Sequence, residues 1–167
     1  MRVVTIVSGG QTGADRAALD AAMARGVRYR GWCPKGGWAE DSTEPPGVLV
    51  RYPGLKETPE QAPEQRTDWN VRDADALLVL VDGRGLAVSK GTARAVAQAQ
   101  ALRKPYLVID VDRPDARGEA QAFLAARKNQ AIGIGGPRES EAPGLYEKAK
   151  ALLLDVLSPQ ALSPDGP

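Results

Sequence analysis

Val3-Val4-Thr5-Ile6-Val7-Ser8-Gly9-Gly10-Gln11-Thr12-Gly13-Ala14-Asp15 is the stretch from which the fold is read. Its first five residues are all β-branched, the composition of a buried strand. They stop at Ser8-Gly9-Gly10, and after Gly13 the chain turns alanine-rich and helical. Strand, glycine turn and helix in that order suit a phosphate. The glycines let the backbone approach a ligand, and the first free N–H groups of the helix, with its dipole, favour an anion. The spacing is not the dinucleotide fingerprint Gly-x-Gly-x-x-Gly, and no P-loop Gly-Lys-Ser/Thr is present. A plain strand-to-helix turn accounts for the same residues, so the stretch alone leaves both readings open.

A chain of 167 residues fits one domain and buries a substantial core without staples. We expect that domain to span 1–157, with a flexible tail over 158–167 that carries three prolines. The lone Cys33 cannot form an internal disulfide, which favours a reducing compartment. No apolar run is long enough to cross a bilayer, and Met1-Arg2 leads straight into a strand, so the expectation is a cytoplasmic protein with no membrane partner. Lys and Arg number 22 against 21 Asp and Glu, a balance that gives no global field for nucleic acid. The absence of His removes the usual general base, the commonest zinc ligand and every Ser-His-Asp arrangement. No protein-ligated metal is expected.

Outward from the first turn, a helix over 13–25 ends at Gly26, and a second strand covers 29–32. Residues 33–63 break the pattern with six prolines between Pro34 and Pro63 and one short strand predicted at 48–52. The aromatic and charged residues among them argue for an ordered loop. A helix follows over 64–73, then the most apolar run of the chain at 76–81. That run lacks alternation, as a parallel strand covered on both faces should. Further elements are a helix over 93–102, a strand over 106–110, a helix over 114–127, a strand over 131–135 and a closing helix over 143–157. In that helix Leu145, Ala149, Leu152, Leu153 and Val156 form one face. The alternation predicts an open, mostly parallel sheet with helices on both faces.

Ligands of such sheets sit beyond the carboxyl ends of the strands, where the strand order reverses. Three glycine-bearing exits should therefore meet: Ser8 to Gly13, Ser89-Lys90-Gly91-Thr92, and Gly135-Gly136-Pro137-Arg138-Glu139-Ser140. Each supplies N–H groups and hydroxyls for an oxyanion. Lys35, Lys90, Arg66 and Arg138 can add positive charge. Plainer roles exist for each: Thr92 as a helix cap, Lys35 and Arg66 as solvated charges, Asp15 as a complement to the helix dipole. Asp15 with Asp20, and Glu40 with Asp41, are not spaced to grip a substrate as an acid/base pair.

The first block from Ser8 to Asp20, Gly31-Trp32-Cys33-Pro34-Lys35-Gly36 with Glu40-Asp41, Arg66-Thr67 with Asn70-Val71, and Gly136-Pro137-Arg138-Glu139-Ser140 together resemble the molybdenum cofactor carrier family. That family is a branch of the lysine-decarboxylase-like, or SLOG, group of Rossmann-type proteins, and the likeness runs from residue 3 to about residue 157. It implies a carrier that holds molybdopterin, or a related phosphate-bearing ligand or nucleotide, without transforming it. On that reading Gly9, Gly10, Gln11, Thr12 and Gly13 cradle a phosphate beside Asp15, while Ser89, Gly91 and Thr92 form a second contact. Arg138 with Ser140 gives a third, and Lys35, Arg66 and Asn70 close the site from the long loop. The expected partners are the small-molecule ligand, a molybdoenzyme acceptor and further copies of the chain as a dimer or tetramer. The rival reading is an enzyme similar to the cytokinin-activating phosphoribohydrolases, whose Pro-Gly-Gly-x-Gly-Thr-x-x-Glu motif ends in a catalytic Glu. Aligning Gly91-Thr92 to that motif places Ala95 at the Glu position, and alanine moves no proton. No catalytic residue is therefore assigned. A nucleotide sensor remains a third reading.

Overall fold

The computed structural model describes residues 4–158. Val3 and most of the expected tail lie outside the described residues. Six strands form one parallel sheet: β1 (Thr5–Val7), β2 (Arg28–Cys33), β3 (Leu55–Glu57), β4 (Ala76–Val81), β5 (Tyr106–Asp110) and β6 (Ala131–Gly135). Between them run α1 (Ala14–Ala24), α2 (Pro63–Asp73), α3 (Lys90–Ala101) and α4 (Ala116–Ala125), and α5 (Leu145–Val156) closes the described chain. The order across the sheet is β3-β2-β1-β6-β4-β5. The last strand in sequence is thus inserted between the first and the fourth, pairing Ile6 with Ile132 on one side and Leu78 with Ile134 on the other.

β4 shows why the sheet is covered on both faces. Ala76, Leu78 and Leu80 enter the larger core with α1, α4 and α5, while Leu77, Val79 and Val81 enter a second core with Val71 of α2 and Val96 of α3. All six β4 residues are buried, so no polar residue is tolerated on either side. The alanines of α1, Ala14, Ala17, Ala18, Ala21 and Ala22, are buried in the larger core. Their small size lets α1 lie close to the sheet and to α5.

Residues 34–62 are held by side chains. The predicted strand at 48–52 is absent; 3-10 turns at Lys35–Gly37 and Gly47–Leu49 occupy this segment, and the strand comes later, as β3. Pro46 and Gly47 open the second turn, and the Tyr52 N–H donates to Val48 O at 2.9 Å, a helical rather than a ladder bond. Val48 and Tyr52 are buried with Leu19, Cys33 and Leu55 in a small core of their own. Asp20 of α1 anchors the segment, accepting from the Tyr52 hydroxyl at 2.5 Å and from Arg51 at 3.1 Å, and α5 joins through the Tyr146 hydroxyl at 2.5 Å. Burial pushes the Cys33 thiol up to about 11, which keeps it a neutral core group near pH 7. No helix among the described residues is long and apolar enough to cross a membrane.

Candidate functional site

β1, β6 and β4 lie side by side, so the loops leaving their carboxyl ends open onto one crevice. A cavity of about 920 Å³ occupies it, walled by the sheet below and by α2 and α3 above. Its floor is made by sequence alternation on β6. Ile132 and Ile134 turn into the larger core, which leaves Gly133 and Gly135 toward the cavity.

The missing side chains are used. A Cβ on Gly135 would stand 2.9 Å from Asp15 Oδ1, and one on Gly9 2.2 Å from Arg66 Nη1. The two glycines make room for an ion pair, Arg66 Nη1 to Asp15 Oδ2 at 3.2 Å, whose side chains are only 11% and 14% exposed. Burial pushes the Asp15 carboxyl above its usual range, and the Arg66 guanidinium and the Gln11 N–H offset only part of that. Arg66 Nε is buried with no hydrogen-bond partner among the described residues, and Arg66 lines the cavity. A buried donor of this kind is costly unless something accepts from it.

At the other wall α3 begins. Ser89 is its cap, not Thr92: the Ser89 Oγ accepts from the Thr92 N–H at 3.2 Å and from the Thr92 hydroxyl at 2.8 Å. Ser89 O takes the Ala93 N–H. The N–H groups of Lys90 and Gly91 remain as the open donors of the first turn, and nothing lies within 4 Å of a Cβ built on Gly91. Among the described residues the Lys90 ammonium has no carboxylate partner, whereas Arg94 pairs with Asp68 and Arg138 with Glu141.

At the third anion contact, assigned from sequence to Arg138 and Ser140, the structure places Glu40. Its carboxylate accepts from the Ser140 hydroxyl at 2.6 Å, from the Ser140 N–H at 3.2 Å and from the Thr12 hydroxyl, with Arg138 Nη1 at 3.7 Å. The protein's own anion thus fills that position and ties the long loop to both glycine turns. Burial raises the Glu40 carboxyl, but the Ser140 and Thr12 hydroxyls, the Ser140 N–H and Arg138 outweigh it and hold the group below its usual range. A carboxylate lowered on folding stabilises above its unfolded value and loses that contribution as the pH falls through the folded one. Glu40→Gln is therefore expected to lower the melting temperature near pH 7, with the deficit shrinking below about pH 4. A deficit equally large in acid, followed by circular dichroism, would count against the charge as the clasp.

Of the residues assigned from sequence, Gly9, Gln11, Asp15, Arg66, Asn70, Ser89, Gly91, Thr92 and Arg138 line this one cavity. Gly10, Thr12, Gly13, Lys35 and Ser140 do not. A Cβ on Gly10 would point away, to 3.0 Å from Leu55. Gly13 abuts the Pro137 carbonyl, Thr12 and Ser140 serve Glu40, and Lys35 is exposed. Arg66 and Asn70 come from α2 rather than from the loop. Asn70 has its amide committed: Oδ1 accepts the Trp32 N–H at 2.8 Å and Nδ2 donates to Trp32 O at 2.9 Å. The Gln11 Oε1 likewise accepts the N–H groups of Thr12 and Glu40, each at 3.0 Å. Sequence reading missed the apolar wall formed by Val71, Val79 and Val88, and it missed Trp38 at the cavity. The Gly133 and Gly135 alternation was the available signal. Among the described residues no group of three His, Cys, Asp or Glu is placed to hold a metal ion.

A doubly covered parallel sheet with a ligand-sized cavity at the carboxyl edge defines a Rossmann-like α/β protein. The model of the circularly permutated YpsA SLOG family matches residues 6–157, and the chain belongs to that family. It is also similar to a solved structure, the "Putative molybdenum carrier protein" of Syntrophus aciditrophicus SB, at 34% identity and a TM-score of 0.76 over 93% of this chain and 95% of that one. No curated protein sequence matches significantly.

Proposed function

We propose that the protein is a carrier that binds a phosphate-bearing small molecule in this cavity, with the molybdenum cofactor as cargo and a molybdoenzyme as the acceptor. The observation that supports it most is the start of α3, where two open N–H groups and Lys90, whose ammonium has no carboxylate partner among the described residues, line a cavity far larger than a phosphate. The helix dipole and the N–H groups favour an anion, and Lys90 adds a point charge. Arg66 Nε, buried and without a hydrogen-bond partner among the described residues, is a second donor for the same ligand. The solved neighbour described as a molybdenum carrier supports the cargo.

The phosphoribohydrolase reading is weaker. Ala95 does line the cavity from α3, so the position aligned with the catalytic Glu is present but carries no acid or base.

The test has two parts. Mass spectrometry of the molecule released from freshly purified, denatured protein identifies the cargo, with a phosphate ester expected. Titration of that molecule into wild type and Lys90→Glu should then show affinity at least about tenfold weaker in the variant, the worth of one charged hydrogen bond. Equal affinities would remove the start of α3 from the site.

A further inference from the structure

The tryptophans of this chain divide into two kinds. Trp32 and Trp69 pack edge to face with ring centroids 4.8 Å apart, Trp32 Nε1 donates to Asp73 at 2.7 Å, and Arg72 lies over Trp69. They are a structural pair. Trp38 is half-buried at the cavity, yet among the described residues its indole has no ring partner, no cation over it, no hydrogen bond and no place in a hydrophobic cluster. A large amphipathic ring left without partners beside a ligand-sized cavity suits a binding role better than a packing one.

Its backbone is the opposite of free. On one side Gly37 fits against Pro46, where a Cβ would meet the Pro46 carbonyl at 2.1 Å. On the other, Ala39 and Ser42 exchange N–H···O bonds of 3.1 and 3.0 Å, and the Glu40 N–H donates to Gln11 at 3.0 Å. The backbone that carries the ring is therefore fixed before any ligand arrives, which limits the entropy lost on binding to that of the side chain itself. The cavity it faces also has apolar walls, Val7, Val79 and Val88, that suit the body of a ligand rather than its phosphate.

We infer that Trp38 is the ring-recognition residue of the cavity: its indole stacks on a planar fused heteroaromatic ring, a pterin or a purine, whose phosphate is held at the start of α3. This rests on the phosphate-binding reading above and adds the residue that recognises the ligand's other end. Stacking of this kind tolerates either ring system, because both present a π-face.

Isothermal titration of wild type, Trp38→Ala and Trp38→Phe with GMP, neopterin monophosphate and ribose 5-phosphate tests it. Ribose 5-phosphate supplies the phosphate without the ring. At least one ring ligand is expected to bind wild type more tightly than ribose 5-phosphate, and the tighter of the two identifies the ring system. Trp38→Ala should weaken that ligand by about tenfold or more, Trp38→Phe should restore most of the loss, and ribose 5-phosphate should bind all three proteins alike. If ring ligands bind wild type no better than ribose 5-phosphate, or if Trp38→Ala weakens all ligands equally, the stacking role is overturned while the phosphate site stands. If none of the three binds wild type, the phosphate reading falls and the stacking role with it.

Discussion

Arg66→Met is expected to cost about 3–5 kcal/mol of stability near pH 7, the usual consequence of leaving one member of a buried ion pair alone, and much less near pH 4. The physical basis is Asp15. Its carboxyl already stands above the ordinary value because of burial, and Arg66 is the largest force opposing that rise. A carboxyl whose folded value is raised imposes no penalty below its unfolded value. The penalty appears as the pH climbs toward the folded value, and beyond that it is constant. With Arg66 gone the folded value climbs further, so the gap between wild type and variant should stay small until the pH passes the wild-type folded value, above the ordinary carboxylate range, and open from there upward. Chemical denaturation at the two pH values measures it. A gap of the same size at both would mean that Arg66 contributes packing against Gly9 and not charge.

Gly13→Ala should be comparably damaging for a reason that has nothing to do with charge. Gly13 precedes α1 at φ 78° and ψ −131°, a conformation that L side chains rarely adopt. A Cβ there would lie 2.3 Å from the Pro137 carbonyl oxygen, the same oxygen that accepts the Ala14 N–H at 3.3 Å. Backbone strain and the clash together are expected to remove about 3 kcal/mol or more. The variant should also lose the seam between the first and last glycine turns, and with it ligand binding. Urea unfolding checks the first expectation. A variant within about 1 kcal/mol of wild type would show that the seam yields easily.

Much of the architecture was written locally. The windows read for β4, β5 and β6 coincide with the observed strands, because long β-branched or apolar runs bounded by turn residues have few alternatives. The error at 48–52 has the same origin. Val48, Leu49 and Val50 look like a strand, but Pro46 and Gly47 commit the backbone to a turn, and Val48 is buried by the loop's own small core. The true strand, Leu55-Lys56-Glu57, is three residues long with two exposed, so it leaves no trace in composition.

The site was legible as a place rather than as a mechanism. Three glycine turns could be assigned to one rim from the alternation of strands and helices, and the cavity gathers residues from each. Which donors are spent could not be read, because the accepting groups come from far along the chain. Glu40 takes Ser140 across 100 residues, and Asn70 takes Trp32 across 38. A sequence pattern records which residues can bind an anion and is silent on whether the protein's own carboxylate has already done so.

The position of β6 also governs how the chain can acquire its shape. β3-β2-β1 and β4-β5 are two separate ribbons until residues 131–135 pair with both. During synthesis the inner edges of β1 and β4 therefore emerge before their shared neighbour and stay unpaired until residues 131–135 are made. Pairings of such long sequence separation form slowly, and open strand edges are where partly made chains associate wrongly. The keystone of this sheet is the last of its strands to be made, so until then the nascent sheet has its centre missing.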